Sequence, residues 1–266
     1  MVLVLISLRF SAQASSLTPA VLPLPTAMSW KHSRQSKHPK TGESALAAVL
    51  FLPGDDYNSW QMLLVDVRGW VGLASFTSSD KWFGEVVPDI GFVQLGVCDV
   101  KPLKLATDDF SLQIGMDIAT IGYPMGTLPL TALGKLNQVT PFLRHGVVSS
   151  VFPFPTAHPH GFTIDVMQQG GSSGSPILRA DDANVVGVMS SGVLEWNTAL
   201  SQQASLSYSQ TTNISIAEAA DIIHLAWSEF RSQHPIDTRN VPTLAELRAK
   251  YPLGSITDDL NWDSWQ

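Results

Sequence analysis

The 266-residue chain carries a formal net charge of −7, with 44% hydrophobic and only 15% charged residues. That length suits one large all-β unit or two small ones, and the apolar share supports a packed core. The acidic balance, with no basic stripe, excludes a nucleic-acid surface. A lone cysteine, Cys98, excludes an internal disulfide framework, as in a reducing compartment or a fold that does without bridges.

Residues 2–8 are apolar, and Ala12-Gln13-Ala14 looks like a small-residue cleavage site, so 1–14 is a signal-like segment. No positive charge precedes the run and Arg9 closes it, so a buried β-strand accounts for it equally well. It is too short to cross a membrane as a helix, and the expectation leans slightly towards an intracellular protein with no integral membrane segment. Residues 15–30 hold three prolines and no period, which reads as irregular or edge structure. The basic stretch 31–40, containing His32 and His38, reads as a solvated loop.

Alternation and β-branched residues then recur at 47–52, 62–67, 71–75 and 91–95, each bounded by turn residues, and predict short strands. Cys98 lacks any metal-ligand spacing and reads as a buried structural thiol. Further strands are expected at 117–122, 146–151, 162–166, 177–178 and 185–192. Ser215-Ile216-Ala217-Glu218 has the form of a capping box, which predicts a helix running to about Arg231 with Ile216, Ala219, Ala220, Ile223 and Trp227 on one face. Thr243-Leu244-Ala245-Glu246 predicts a second, short helix ended by Pro252. The tail from Asp258, with Trp262 and Trp265 among acids, either frays or packs on the body.

One segment carries chemistry. Gly170-Gly171-Ser172-Ser173-Gly174-Ser175-Pro176 places Ser173 between glycines and just ahead of the apolar pair Ile177-Leu178. Glycine lets a backbone bend tightly enough for successive N–H groups to converge on one spot, where an oxyanion can sit. The same residues would also serve as a plain Gly/Ser surface turn. The strands on either side favour the first reading.

With the strands Asp117-Ile118-Ala119-Thr120-Ile121-Gly122-Tyr123-Pro124 and Gly146-Val147-Val148-Ser149-Ser150, the stretch from about Asp89 to Gly192 resembles a chymotrypsin-fold, trypsin-like serine peptidase. It is most similar to the disulfide-free bacterial type that includes the HtrA/Deg proteases. The resemblance implies an all-β fold of two six-stranded antiparallel barrels, the first abbreviated, plus a C-terminal helix. It divides the chain into an N-terminal barrel at 1–105, a C-terminal barrel with its helix at 106–232, and an extension at 233–266. Too few residues follow the helix for a PDZ-like module, so Deg-type regulated assembly is not implied, and the oligomeric state stays open.

A serine hydroxyl becomes a nucleophile when a base takes its proton and a carboxylate fixes the base's tautomer. The resemblance assigns Ser173 as nucleophile and Asp89, in Pro88-Asp89-Ile90-Gly91-Phe92-Val93, as carboxylate. It assigns the oxyanion hole to the N–H groups of Gly171 and Ser173. Ser190 and Gly192 fall on the strand that pairs with substrate, and Ser190 is placed to support Asp89. The family sets its histidine in Thr-Ala-x-His; here Thr26-Ala27-Met28 is followed by Ser29, and the nearest histidine is His32. His32 is therefore the first candidate base, His38 a second, and the absence of any functional histidine a third option. His145, His158, His160, His224 and His234 follow Asp89, the wrong order for this fold. The pair His158 and His160 lacks a partner at metal spacing, so neither a metal nor a cofactor is expected.

Met167, six residues before the nucleophile, occupies the position that sets primary specificity in the family. As it is not an acid, the pocket is expected to take a small or apolar side chain rather than Arg or Lys. The expected function is a serine endopeptidase acting on a peptide or protein substrate through an acyl-enzyme. The competing reading is an inactive homologue that binds peptides or proteins in the same cleft. An α/β-type hydrolase is excluded, because Pro176 and β-branched residues, not a helix, follow the serine.

Overall fold

The computed structural model describes residues 3–6, 27–30, 47–53, 59–72, 88–107, 109–123, 141–156, 158–169, 171–200, 205–233, 240–250 and 254–255. Five N-terminal strands, β1 (Leu3–Ile6), β2 (Ala27–Trp30), β3 (Ala47–Pro53), β4 (Ser59–Gly72) and β5 (Gly91–Leu95), form an antiparallel sheet in the order β1-β5-β4-β3-β2. The apolar N-terminal run is thus a strand, pairing Leu3 with Gln94 and Ile6 with Gly91. The prolines of the 15–30 region lie outside the described residues, and β2 follows them at the sheet edge. The two strands expected at 62–67 and 71–75 are one strand, β4, with a register shift between Val67 and Gly69. Such a shift turns the strand without ending it, which is why the pattern looked broken.

Alternation along these strands puts Leu50, Leu52, Leu63, Val65, Val93, Leu95 and Val97 into one buried cluster. The C-terminal extension closes it. Helix α2 (Leu244–Arg248) contributes Leu247 to the cluster, and the two-residue strand β12 (Gly254–Ser255) pairs with β4. Gln61, itself buried, donates from Nε2 to the Arg248 carbonyl at 2.7 Å and accepts from Arg248 Nε at 3.2 Å. The capping box at Thr243 is present as expected: Glu246 N–H donates to Thr243 Oγ1, and Thr243 N–H to the Glu246 carboxylate. Cys98 is only partly buried and bridges to this segment, its N–H donating to the Pro242 carbonyl at 2.9 Å.

The second unit is a closed six-stranded barrel in the order β10-β11-β8-β7-β6-β9. Its strands are β6 (Asp117–Gly122), β7 (Phe142–Phe152), β8 (Gly161–Ile164), β9 (Pro176–Arg179), β10 (Val185–Leu200) and β11 (Ser205–Ala219). Phe162, Ile118, Ile164, Ile177 and Val148 are fully buried inside it. The closed second barrel beside an N-terminal sheet of less complete closure is the two-barrel chymotrypsin-like architecture, with the first barrel abbreviated.

The helix expected from Ser215 begins later. Residues 215–219 belong to β11, where Ser215 pairs with Ile164 and Ala217 with Phe162, and α1 spans Ala220–Gln233. The local capping-box signal is overridden because barrel closure supplies both edges of β11 with partners, and the Ser215 hydroxyl donates to the Val166 carbonyl instead. Helix α1 buries Ile222, Ile223 and Ala226 against Ile90, Phe92 and Val188, joining the N-terminal sheet to the barrel. Phe92 lies 5.4 Å from the Trp227 ring and 5.7 Å from the Phe230 ring.

Candidate active site

Ser173 sits in the turn between β8 and β9, where the barrel presents a loop at the mouth of a strand. Gly171 and Gly174 have φ of +93° and +85°, a left-handed backbone that side chains rarely tolerate. Ser172 N–H donates to the Gln169 carbonyl at 3.0 Å and Ser175 N–H to the Ser172 carbonyl at 3.1 Å. Gly174 N–H donates to the Met189 carbonyl at 2.8 Å, and Met189 N–H returns to the Ser175 carbonyl at 2.9 Å, so the turn is stitched to β10. Among the described residues the N–H groups of Gly171 and Ser173 make no hydrogen bond, leaving those two donors for a ligand.

The Ser173 hydroxyl is itself engaged. It donates to the Ser190 carbonyl at 3.0 Å and accepts from Gln168 Nε2 at 2.7 Å. No described histidine is a partner of this oxygen: His158 faces Asp221 at 3.0 Å, His145 faces Asp117 at 3.6 Å, and His224 Nε2 lies 2.6 Å from the Ala106 carbonyl. His32 and His38 lie outside the described residues. Among the described residues, no three metal-ligating side chains gather in one place.

Asp89 stands at the entry to β5, half-buried, with Ile90 packed against Val188 and α1. Its N–H donates to Glu218 Oε1 at 3.3 Å, and Glu218 pairs across the sheet with Val188. Val188 is two residues before Ser190, to whose carbonyl Ser173 is bonded. The fold therefore carries Asp89 and Ser173 to neighbouring stretches of β10. Ser190 is buried, and its hydroxyl donates to the Ile216 carbonyl at 3.2 Å. Glu218 escaped the sequence reading because it was assigned to a helix cap.

The position expected to floor the specificity pocket, Met167, is 38% exposed. Its neighbour Gln168 takes the place beside the Ser173 hydroxyl. A Cβ added to Gly192 would lie 2.9 Å from Gln168 Oε1 and 3.1 Å from its Cβ, so the carboxamide fills the gap between Ser173 and Gly192. Arg144 of β7 holds this segment, donating from Nη1 to the Met167 carbonyl and from Nη2 to Gln169 Oε1 at 3.0 Å. Desolvation lowers the pKa of the Arg144 guanidinium, which stays charged nonetheless. Neither Arg144 nor Gln168 has a motif of its own; an amide two positions before the first glycine of the turn was the only available signal.

Behind the turn, Thr120, Gly122, Phe142, Arg144, Ser172, Ser175 and Met189 enclose a cavity of about 10 Å³, and the Thr120 hydroxyl is buried there without a partner among the described residues. Burial also pushes the Tyr123 phenol up from its ordinary pKa, keeping it neutral.

Residues 61–188 match the profile of the trypsin-like peptidase domain. No curated protein matches the chain in sequence. Of the solved structures, the Rv3671c protein of M. tuberculosis H37Rv, a serine-to-alanine mutant in an inactive form, is 12% identical with a TM-score of 0.43 and covers 88% of each chain. The serine endoprotease of Yersinia pestis is 11% identical with a TM-score of 0.43, over 85% of this chain and 61% of its own. Human heparin binding protein is 13% identical with a TM-score of 0.42, over 71% of this chain and 77% of its own. The turn that presents Ser173 lies within the matched segment, so this part of the chain is similar to the trypsin-like peptidase domain.

Proposed function

We propose that the protein is a serine endopeptidase that cleaves peptide or protein substrates through an acyl-enzyme on Ser173. The observation that carries this reading is the turn itself: a serine hydroxyl between two left-handed glycines, with the N–H groups of Gly171 and Ser173 taking no partner among the described residues. His32 takes the proton from Ser173 Oγ as that oxygen attacks the substrate carbonyl. The N–H groups of Gly171 and Ser173 hold the resulting oxyanion, and His32 then protonates the leaving amine. The Asp89 carboxylate fixes the imidazole tautomer. Water repeats the cycle and releases the acid. Ser190 and Gly192 pair with the substrate backbone, and the cleft lies between residues 1–105 and the barrel of 106–232, which we take as the two domains.

A second reading has its own support. The Ser173 proton is directed at the Ser190 carbonyl, and the oxygen accepts from Gln168. A protein using the same cleft only to bind peptides would look the same. A fluorophosphonate probe separates the two: the peptidase is labelled covalently and Ser173→Ala abolishes labelling, whereas folded protein that resists the probe is a binding module. His32→Ala is expected to remove turnover with little change in Tm. If turnover persists and is lost in His38→Ala, the base is His38.

A further inference from the structure

Among the described residues, the side chain hydrogen-bonded to Ser173 Oγ is one that the peptidase reading does not use. Gln168 spans the space between Ser173 Oγ, to which it donates at 2.7 Å, and Gly192, whose added Cβ would press on its amide oxygen at 2.9 Å. In a chain running extended, successive side chains point to opposite sides. Here Met167 and Gln169 are exposed while Gln168 is half-buried. Arg144 enforces that alternation by gripping the residues on both sides, the Met167 carbonyl and the Gln169 side chain. Gln168 is thus held inward by its neighbours.

We propose that Gln168 is the specificity-determining residue of this site, closing the pocket for the side chain before the scissile bond to anything larger than Gly, Ala or Ser. The inference rests on the peptidase reading and narrows it. A substrate acyl group on Ser173 Oγ projects its first side chain into the gap between the 167–169 segment and the 190–192 strand. The Gln168 carboxamide already lies in that gap. A methyl or hydroxymethyl group fits beside it; a leucine or phenylalanine side chain meets it. Rotating Gln168 out would give up its hydrogen bond to Ser173 and its packing on Gly192. Arg144 is a positioning residue that acts through Gln168.

Peptidyl diphenyl phosphonates that differ only in carrying the alanine, leucine or phenylalanine side chain test this directly. Ser173 Oγ forms a bond to phosphorus, one P–O bond breaks, and phenol leaves with the proton, so labelling needs no turnover. The alanine probe is expected to label the wild-type protein at least about tenfold faster than the phenylalanine probe, within the ~10–200-fold range that pocket size commands. In Gln168→Gly that preference is expected to fall by about tenfold or to invert, and in Gln168→Ala to fall by less. An unchanged alanine-to-phenylalanine ratio in both variants, or a wild-type preference for phenylalanine, overturns the proposal and leaves the peptidase reading standing. Failure of the wild-type protein to react with a general fluorophosphonate overturns the peptidase reading itself.

Discussion

Gly122 at the end of β6 and Ser175 in the nucleophile turn are packed so closely that a Cβ on Gly122 would fall on the Ser175 hydroxyl. The strand thus fixes the turn from behind, two residues after Ser173. Gly122→Ala is expected to destabilise the protein by about 1–3 kcal/mol, the usual cost of overpacking. Because Ser175 must move, fluorophosphonate labelling is expected to slow more than the loss of folded protein explains. A Tm series run beside the labelling rate checks both.

Asp89 is tied to the barrel through Glu218, which takes its N–H. On the peptidase reading, Asp89→Asn preserves shape but leaves the imidazole wrongly oriented, so turnover is expected to drop by roughly 10³–10⁴ with a small change in Tm. Glu218→Ala removes the acceptor and is expected to cost about 1 kcal/mol and part of the activity. Glu218→Gln keeps an acceptor oxygen and is expected to retain more of both. Steady-state kinetics beside thermal melts separate the three variants.

Arg144 forks across two acceptors from two separate nitrogens, a fixed planar spacing that the single nitrogen of lysine does not reproduce. Arg144→Lys is expected to blur discrimination between alanine and phenylalanine phosphonates while leaving stability within about 1 kcal/mol of the parent. A ratio of labelling rates equal to wild type would mean that residues 167–169 hold their place without the fork.

The C-terminal extension is part of the N-terminal core, because Leu247 packs in one cluster with Leu50, Leu63, Val93 and Leu95. Leu247→Ala is expected to cost about 2–5 kcal/mol, as for other buried leucines. Denaturant unfolding measures it directly.

The helix cap at Thr243 makes a pH signature. Hydrogen bonds from Thr243, backbone N–H first, lower the Glu246 pKa below its ordinary value of 4.5. A lowered carboxylate pKa stabilises the fold above the unfolded value, and the benefit disappears as pH falls through the folded value. The Tm difference between wild type and Glu246→Ala is therefore expected to be full at about pH 6 to 7 and to shrink below about pH 4.5.

Much of the strand order was legible in the chain. Alternation and β-branched residues pointed to β3 and β5, apolar runs beside the serine turn pointed to β6 and β8, and β5 falls at Gly91–Leu95 as expected. Both faces of β5 are buried, Val93 and Leu95 in one cluster and Phe92 in another, so it reads as a short apolar run broken only by Gln94. The nucleophile turn was legible for a different reason: glycine readily accepts the φ values found at Gly171 and Gly174, and other residues do not. Two local signals misled. The broken pattern in β4 concealed a bulge, and the capping box at Ser215 concealed the end of β11.

Neighbours a few residues apart suffice to specify the all-β class, a serine on a glycine-lined turn, and the Thr243 cap. Three contacts come from the assembled fold instead: Gln168 on Ser173, Glu218 on Asp89, and Leu247 in the first sheet's core. The Asp89–Glu218 and Leu247 contacts join residues far apart in the chain. The inward turn of Gln168 depends on Arg144 and Gly192 reaching it from other strands, so the pairing of distant strands creates all three and no local pattern encodes them.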